Sequence, residues 1–131
     1  MKIQRHQMST FREDLRERFA EHLVEMLRTD HPSDVEMYDD DELFDLVDDG
    51  LDRAQAYGLT SDEDNETFIS LLFTVGWYCD RHPEFHRYLT DEAIEPGDRM
   101  RYLLEGTDND DWQEAAAISD EELAKEGAPE P

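Results

Sequence analysis

The chain has 131 residues, of which 36 are acidic and 12 are basic, so its formal net charge is −24 at pH 7. A chain of this length can build one modest hydrophobic core and is too short for two. A strongly negative field repels nucleic-acid backbones and anionic membranes, so we expect the partner to be another protein and not nucleic acid or a membrane.

The first predicted helix opens on a capping box that starts at Thr10, and it ends near Asp30 because Pro32 disfavours helical geometry in the preceding residue. Its apolar residues recur at spacings of three and four, as on one face of an amphipathic helix: Phe11, Leu15, Phe19, Leu23, Met26 and Leu27. A polar connection over residues 31–40 follows.

The second predicted helix runs from about Asp40 to Tyr57, with aspartates at its start, where the helix dipole favours negative charge. Gly58 is placed to act as a left-handed C-cap. A third helix, over about residues 61–80, opens with Thr60 or Ser61 as its N-cap. Apolar residues cover nearly every face of this third helix, which predicts that it lies buried at the centre.

Shorter helices are predicted from about Pro83 to Leu89 and from Pro96 to Glu105, and no stretch alternates like a strand. The sequence therefore predicts an all-α fold, a single compact bundle of four to five helices around the central helix at about 61–80. Residues 1–106 are assigned to the helical domain. Residues 107–131 are predicted to be an acidic tail that is partly helical or disordered.

Cys79, His82 and His86 form a C-x2-H-x3-H pattern, whose thiolate and imidazole groups are good zinc ligands. They are candidate metal ligands, and a metal-dependent enzyme at these residues is one possible function. Pro83 interrupts the segment and no second Cys/His pair is present, so we favour a buried cysteine and two surface histidines near a helix end. Elsewhere the sequence contains no recognisable catalytic residues or cofactor-binding motif, so neither is predicted.

Trp112 stands in an acidic stretch with few apolar neighbours in sequence, and it either packs back on the core or anchors a partner protein. Phe11, on the first helix, is the other candidate for partner binding. The acidity has two interpretations: it attracts a basic partner, or it reflects adaptation to salt, which the ten arginines against two lysines also fit. The lone cysteine and the lack of an apolar leader predict a cytoplasmic protein.

Residues 54–104 resemble a group of small bacterial helical proteins encoded beside type VI secretion spike, PAAR-tip and effector genes. The residues that carry this resemblance are structural: Ala54, Tyr57-Gly58-Leu59, Phe68 to Phe73, Gly76, Asp80, Pro83, Leu89, and Arg99 with Leu103. The chain departs from the pattern at Cys79, where phenylalanine is common, and in its longer acidic tail.

The resemblance implies a non-enzymatic accessory, an adaptor or chaperone that helps to load an effector onto the secretion spike. The alternative is an immunity protein that neutralises a cognate toxin, which its charge would steer to a basic enzyme. Neither expectation identifies the partner or the oligomeric state.

Overall fold

The structure is a computed structural model, and it describes the backbone of residues 2–127 and the side chains of residues 14–125. These described residues form helices joined by short turns, with no strand among them, so the predicted all-α class is confirmed. None of the described helices combines the length and the apolar character that crossing a membrane requires. Two compact units are distinguished, residues 1–49 and residues 50–131.

The first unit contains α1 (Lys2–Asp30), the single-turn helix α2 (Pro32–Val35) and the beginning of α3 (Asp40–Ala56). Arg16 of α1 pairs with Asp48 of α3 at 2.9 Å between Nε and Oδ1. The core of this unit is aliphatic and comes from all three helices: Ala20, Leu23, Leu27, Val35, Leu43 and Val47.

The second unit begins with the rest of α3, which ends in a Schellman motif. Gly58 has a φ of +82°, and the amides of Gly58 and Leu59 donate to the carbonyls of Gln55 and Ala54. The predicted left-handed cap is therefore confirmed. Ser61 then caps α4 (Asp62–Thr74) by accepting a hydrogen bond from the Asp64 amide.

The remaining helices of the second unit are α5 (Pro83–Thr90), α6 (Arg99–Gly106) and α7 (Asn109–Gly127), with 3-10 turns at Cys79–Arg81 and Pro96–Asp98. Residues 109–127, in the stretch assigned to an acidic tail, thus form a helix. Ala115 and Ser119 of α7 are buried completely, so this helix packs against the rest of its unit.

Two predicted boundaries are wrong. The first helix begins at Lys2 and passes through Thr10, which therefore is not an N-cap, because no glycine or proline interrupts residues 2–9. The central helix stops at Thr74, short of the predicted residue 80. Beyond it, the Tyr78 amide donates to Ser119 Oγ at 2.9 Å, a tertiary bond that replaces the intrahelical one.

Candidate functional site

The three candidate metal ligands occupy different environments. Cys79 is 1% exposed at the start of its 3-10 turn, and its Sγ lies 3.8 Å from the Leu71 carbonyl oxygen. His82 is buried, whereas His86 is exposed on α5 and its ring meets the Tyr57 ring edge-on at 6.1 Å between centroids. Within the described side chains, these three residues form no common ligand cluster.

The Cys79 thiol is poorly suited to chemistry in this position. Burial, followed by the negative charge of Asp80, raises the pKa of Cys79 to about 12. Since the thiolate is the form that attacks electrophiles or binds metals, the protonated thiol serves here as an apolar core group.

We expect Cys79 in the folded protein to react with a disulfide reagent such as DTNB far more slowly than in the urea-unfolded chain. Each ~1.4 kcal/mol of free energy needed to open the site should slow the reaction about tenfold. The measurement is the rate of thiol labelling at increasing urea concentrations below the unfolding transition. Equal rates in the folded and unfolded protein would show an accessible, reactive thiol.

His82 instead meets two acidic residues of α7. The possible ligand atoms of His82, Asp111 and Glu114 all lie within 4.8 Å of one another, close enough to surround one cation. His82 Nε2 lies 3.0 Å from Glu114 Oε2, and His82 Nδ1 accepts a hydrogen bond from the Glu84 amide at the start of α5. Both ring nitrogens are thus engaged with the protein.

These hydrogen bonds favour a structural role for the His82 cluster over a metal site. Because Nδ1 accepts from an amide, the proton of the neutral ring lies on Nε2 and points to Glu114. A metal on Nε2 would move that proton to Nδ1, where it would face the Glu84 amide hydrogen. Asp111 also has another role, since it exchanges hydrogen bonds with Asp108 in a capping box at the start of α7.

A second cluster joins Arg53 and Tyr57 of α3 to Asp80. Arg53 Nη1 lies 3.0 Å from Asp80 Oδ1, and the Tyr57 hydroxyl donates to Asp80 Oδ2 at 2.7 Å. Burial and this bond to the Asp80 carboxylate raise the pKa of Tyr57 above its ordinary value. Arg53 also donates to the Trp77 carbonyl and lies 4.8 Å from the Trp77 ring centroid. The cluster therefore fixes the segment that follows α4 onto α3.

This cluster of Arg53, Tyr57 and Asp80 was not predicted from the sequence. Tyr57 and Asp80 both occur in the motif that carries the family resemblance, but Arg53 does not, and nothing in the spacing indicates that the three meet. The only sequence signal was an arginine on the second predicted helix, one turn before Tyr57.

Of the two candidates for partner binding, Trp112 and Phe11, the structure describes the side chain of Trp112. Trp112 is half-buried; its Nε1 donates to Thr107 Oγ1 at 2.9 Å, and its ring meets Phe85 edge-on at 6.4 Å between centroids. The indole is thus engaged within its own unit. The side chain of Phe11 lies outside the described residues.

The first unit contains an open groove of about 620 Å³ between α1 and the start of α3, which we call the acidic groove. It has acidic, basic, polar and apolar lining side chains: Glu21, Val24, Glu25, Arg28, Thr29, Asp40, Asp41 and Phe44. The sequence did not reveal it, because its walls come from two helices that are separate in sequence.

Comparison with known proteins gives no relative: the chain matches no family model, and neither curated proteins nor solved structures include a significant match.

Proposed function

We propose that the chain is a non-enzymatic accessory that binds another protein, namely an adaptor or chaperone for a type VI secretion effector or spike component. The single observation that carries this proposal is the distribution of charge. Among the described side chains, most arginines and lysines are held by contacts inside the chain, whereas most carboxylates are exposed to solvent.

The intramolecular contacts account for nearly all described cations. Arg99 donates to the carbonyls of Tyr57 and Asp91. Seven others form ion pairs with aspartate or glutamate: Arg16, Arg28, Arg53, Arg81, Arg87, Arg101 and Lys125. Arg18 is exposed, with no such pair among the described side chains.

The surplus of carboxylates gives the surface its character. On α3 alone, six acidic residues are exposed to solvent: Asp40, Asp41, Glu42, Asp45, Asp49 and Asp52. An acidic surface accelerates encounters with a basic protein and suppresses binding to acidic ones, and this selectivity suits a protein that must find one client.

The family resemblance supplies the specific role. Two of the residues that carry the resemblance have structural roles. Gly58 ends α3, and Asp80 forms an ion pair with Arg53 and accepts a hydrogen bond from Tyr57. A role in folding for these residues is compatible with an accessory that performs no catalysis, and loading would take place in the cytoplasm before export.

The test uses the affinity-tagged full chain expressed with the products of the two genes that flank its own. We expect it to recover an effector or spike component, and we expect deletion of its gene to abolish export of that effector. Recovery of neither product, together with unchanged export, would overturn the proposal.

An immunity protein is the second candidate, because the same exposed carboxylates would also bind a basic toxin. In that case the chain would protect cells from the neighbouring toxin, while its deletion would leave export unchanged. Cell survival and export of the same gene product therefore separate the two functions.

A further inference from the structure

We propose that the acidic groove is the docking site for a partner segment in which arginine or lysine side chains flank an apolar side chain. This inference rests on the proposed function, which it deepens by giving the chemistry of the partner and its place on the first unit.

The charge of the groove selects a basic occupant. Among the described residues that line it, the one cation is Arg28, and it is already engaged. Its guanidinium donates to the carbonyls of Val35 and Tyr38 and pairs with Asp40 at 3.0 Å. Arg28 therefore shapes the wall of the groove and does not attract an anion into it.

Three further carboxylates remain for a ligand. Glu21 and Glu25 lie one turn apart on α1, and Asp41 faces the same groove from the first turn of α3. All three are exposed and, within the part of the chain that the structure describes, none forms an ion pair. A guanidinium or ammonium group can therefore bind there without displacing an internal partner.

The apolar residues that line the groove favour a peptide ligand over a simple cation. Val24 and Phe44 are half-buried and contribute the apolar part of the wall. A metal ion or polyamine would leave this surface in water, whereas an aliphatic side chain between two basic ones would cover it. The volume of about 620 Å³ is in the range that holds several side chains.

Binding is measured by fluorescence anisotropy with the full chain and a short fluorescein-labelled peptide in which arginine and leucine alternate. We expect saturable binding that weakens with added salt, because exposed charges are screened. The same peptide with serine in place of leucine should bind less tightly, and one with glutamate in place of arginine should not bind.

The decisive comparison uses two variants with the same change in net charge. The groove variant carries Glu21→Gln, Glu25→Gln and Asp41→Asn. The control carries three equivalent substitutions at exposed positions of α1 and α3 that do not line the groove: Glu17→Gln, Asp45→Asn and Asp49→Asn. Circular dichroism checks that both variants keep their helix content.

We expect the groove variant to bind the peptide at least about tenfold more weakly than the control, which corresponds to about 1.4 kcal/mol. Equal weakening in both variants would show that the peptide responds to overall charge only, and would overturn the groove as a site. Equal binding of the leucine and serine peptides would remove the apolar part of the proposal.

Failure of the groove and failure of the proposed function can be told apart with the same variants. If the wild-type chain recovers its genetic neighbour from cells and the groove variant does so equally well, the accessory role stands and the groove is wrong. If the wild-type chain recovers no neighbour, the accessory role itself fails, whatever the peptide does.

Discussion

Replacing Asp80 with alanine should lower the free energy of unfolding by about 3–5 kcal/mol, the usual cost of removing one member of a buried ion pair. The Asp80 side chain is 7% exposed and that of Arg53 is 21% exposed. Without the carboxylate, the Arg53 guanidinium stays largely covered and has lost its counter-charge, and the Tyr57 hydroxyl has lost its acceptor.

The measurement is urea unfolding followed by circular dichroism. The matched control is Asp98→Ala, since Asp98 also pairs with an arginine, Arg101, but at 3.4 Å and with both side chains about half exposed. An exposed pair of this kind contributes at most about 1 kcal/mol. If the two substitutions cost the same, the Asp80 cluster has no special role in stability.

A substitution at Tyr57 tests whether Arg53, Tyr57 and Asp80 stabilise the fold as one network. A Tyr57→Phe substitution removes one hydrogen bond to a charged acceptor and leaves the Arg53–Asp80 pair in place, so it should cost less than Asp80→Ala, about 1.5–3 kcal/mol. In the Asp80→Ala background the same change should cost much less, because the residues share one network.

The helices that could be predicted from the sequence are those whose ends depend on local chemistry. Gly58 closes α3 through hydrogen bonds to residues within five positions, and Ser61 opens α4 through a bond three residues ahead. All the residues that form such a cap lie within a few positions of one another. The all-α class and these two helix ends could therefore be predicted from the sequence.

Of the expectations for the Cys79 segment, the buried cysteine and the exposed His86 are found in the structure, but His82 is buried where a surface histidine was expected. His82 is covered because its partner, Glu114, lies 32 residues later on α7. Likewise, the Arg53–Asp80 pair spans 27 residues. A single sequence contains no local signal for contacts of this range, since they depend on how whole helices pack.

The end of α4 also depends on a contact that is distant in sequence, between the segment after Thr74 and Ser119 of α7. A substitution at this contact should have the second large effect on stability. Gly76→Ala should lower the free energy of unfolding by about 1–3 kcal/mol, because it overfills a packed contact. A Cβ atom at Gly76 would lie 2.5 Å from the Cβ of Ser119, closer than such atoms approach in folded proteins. Either α7 must move away or the Tyr78 bond to Ser119 Oγ must lengthen.

Gly97 supplies the control, since a Cβ there meets nothing within 4 Å. Gly97→Ala should be neutral or stabilise by up to about 1 kcal/mol, because alanine restricts the unfolded chain. In a Ser119→Gly background the clash at Gly76 disappears, so Gly76→Ala should lower the free energy of unfolding very little further. Ser119→Gly has a cost of its own, because it removes the acceptor of the Tyr78 amide. Additive costs in the double variant would mean that contact with Ser119 is not what makes Gly76→Ala costly, and that Gly76 does not set the distance of α7.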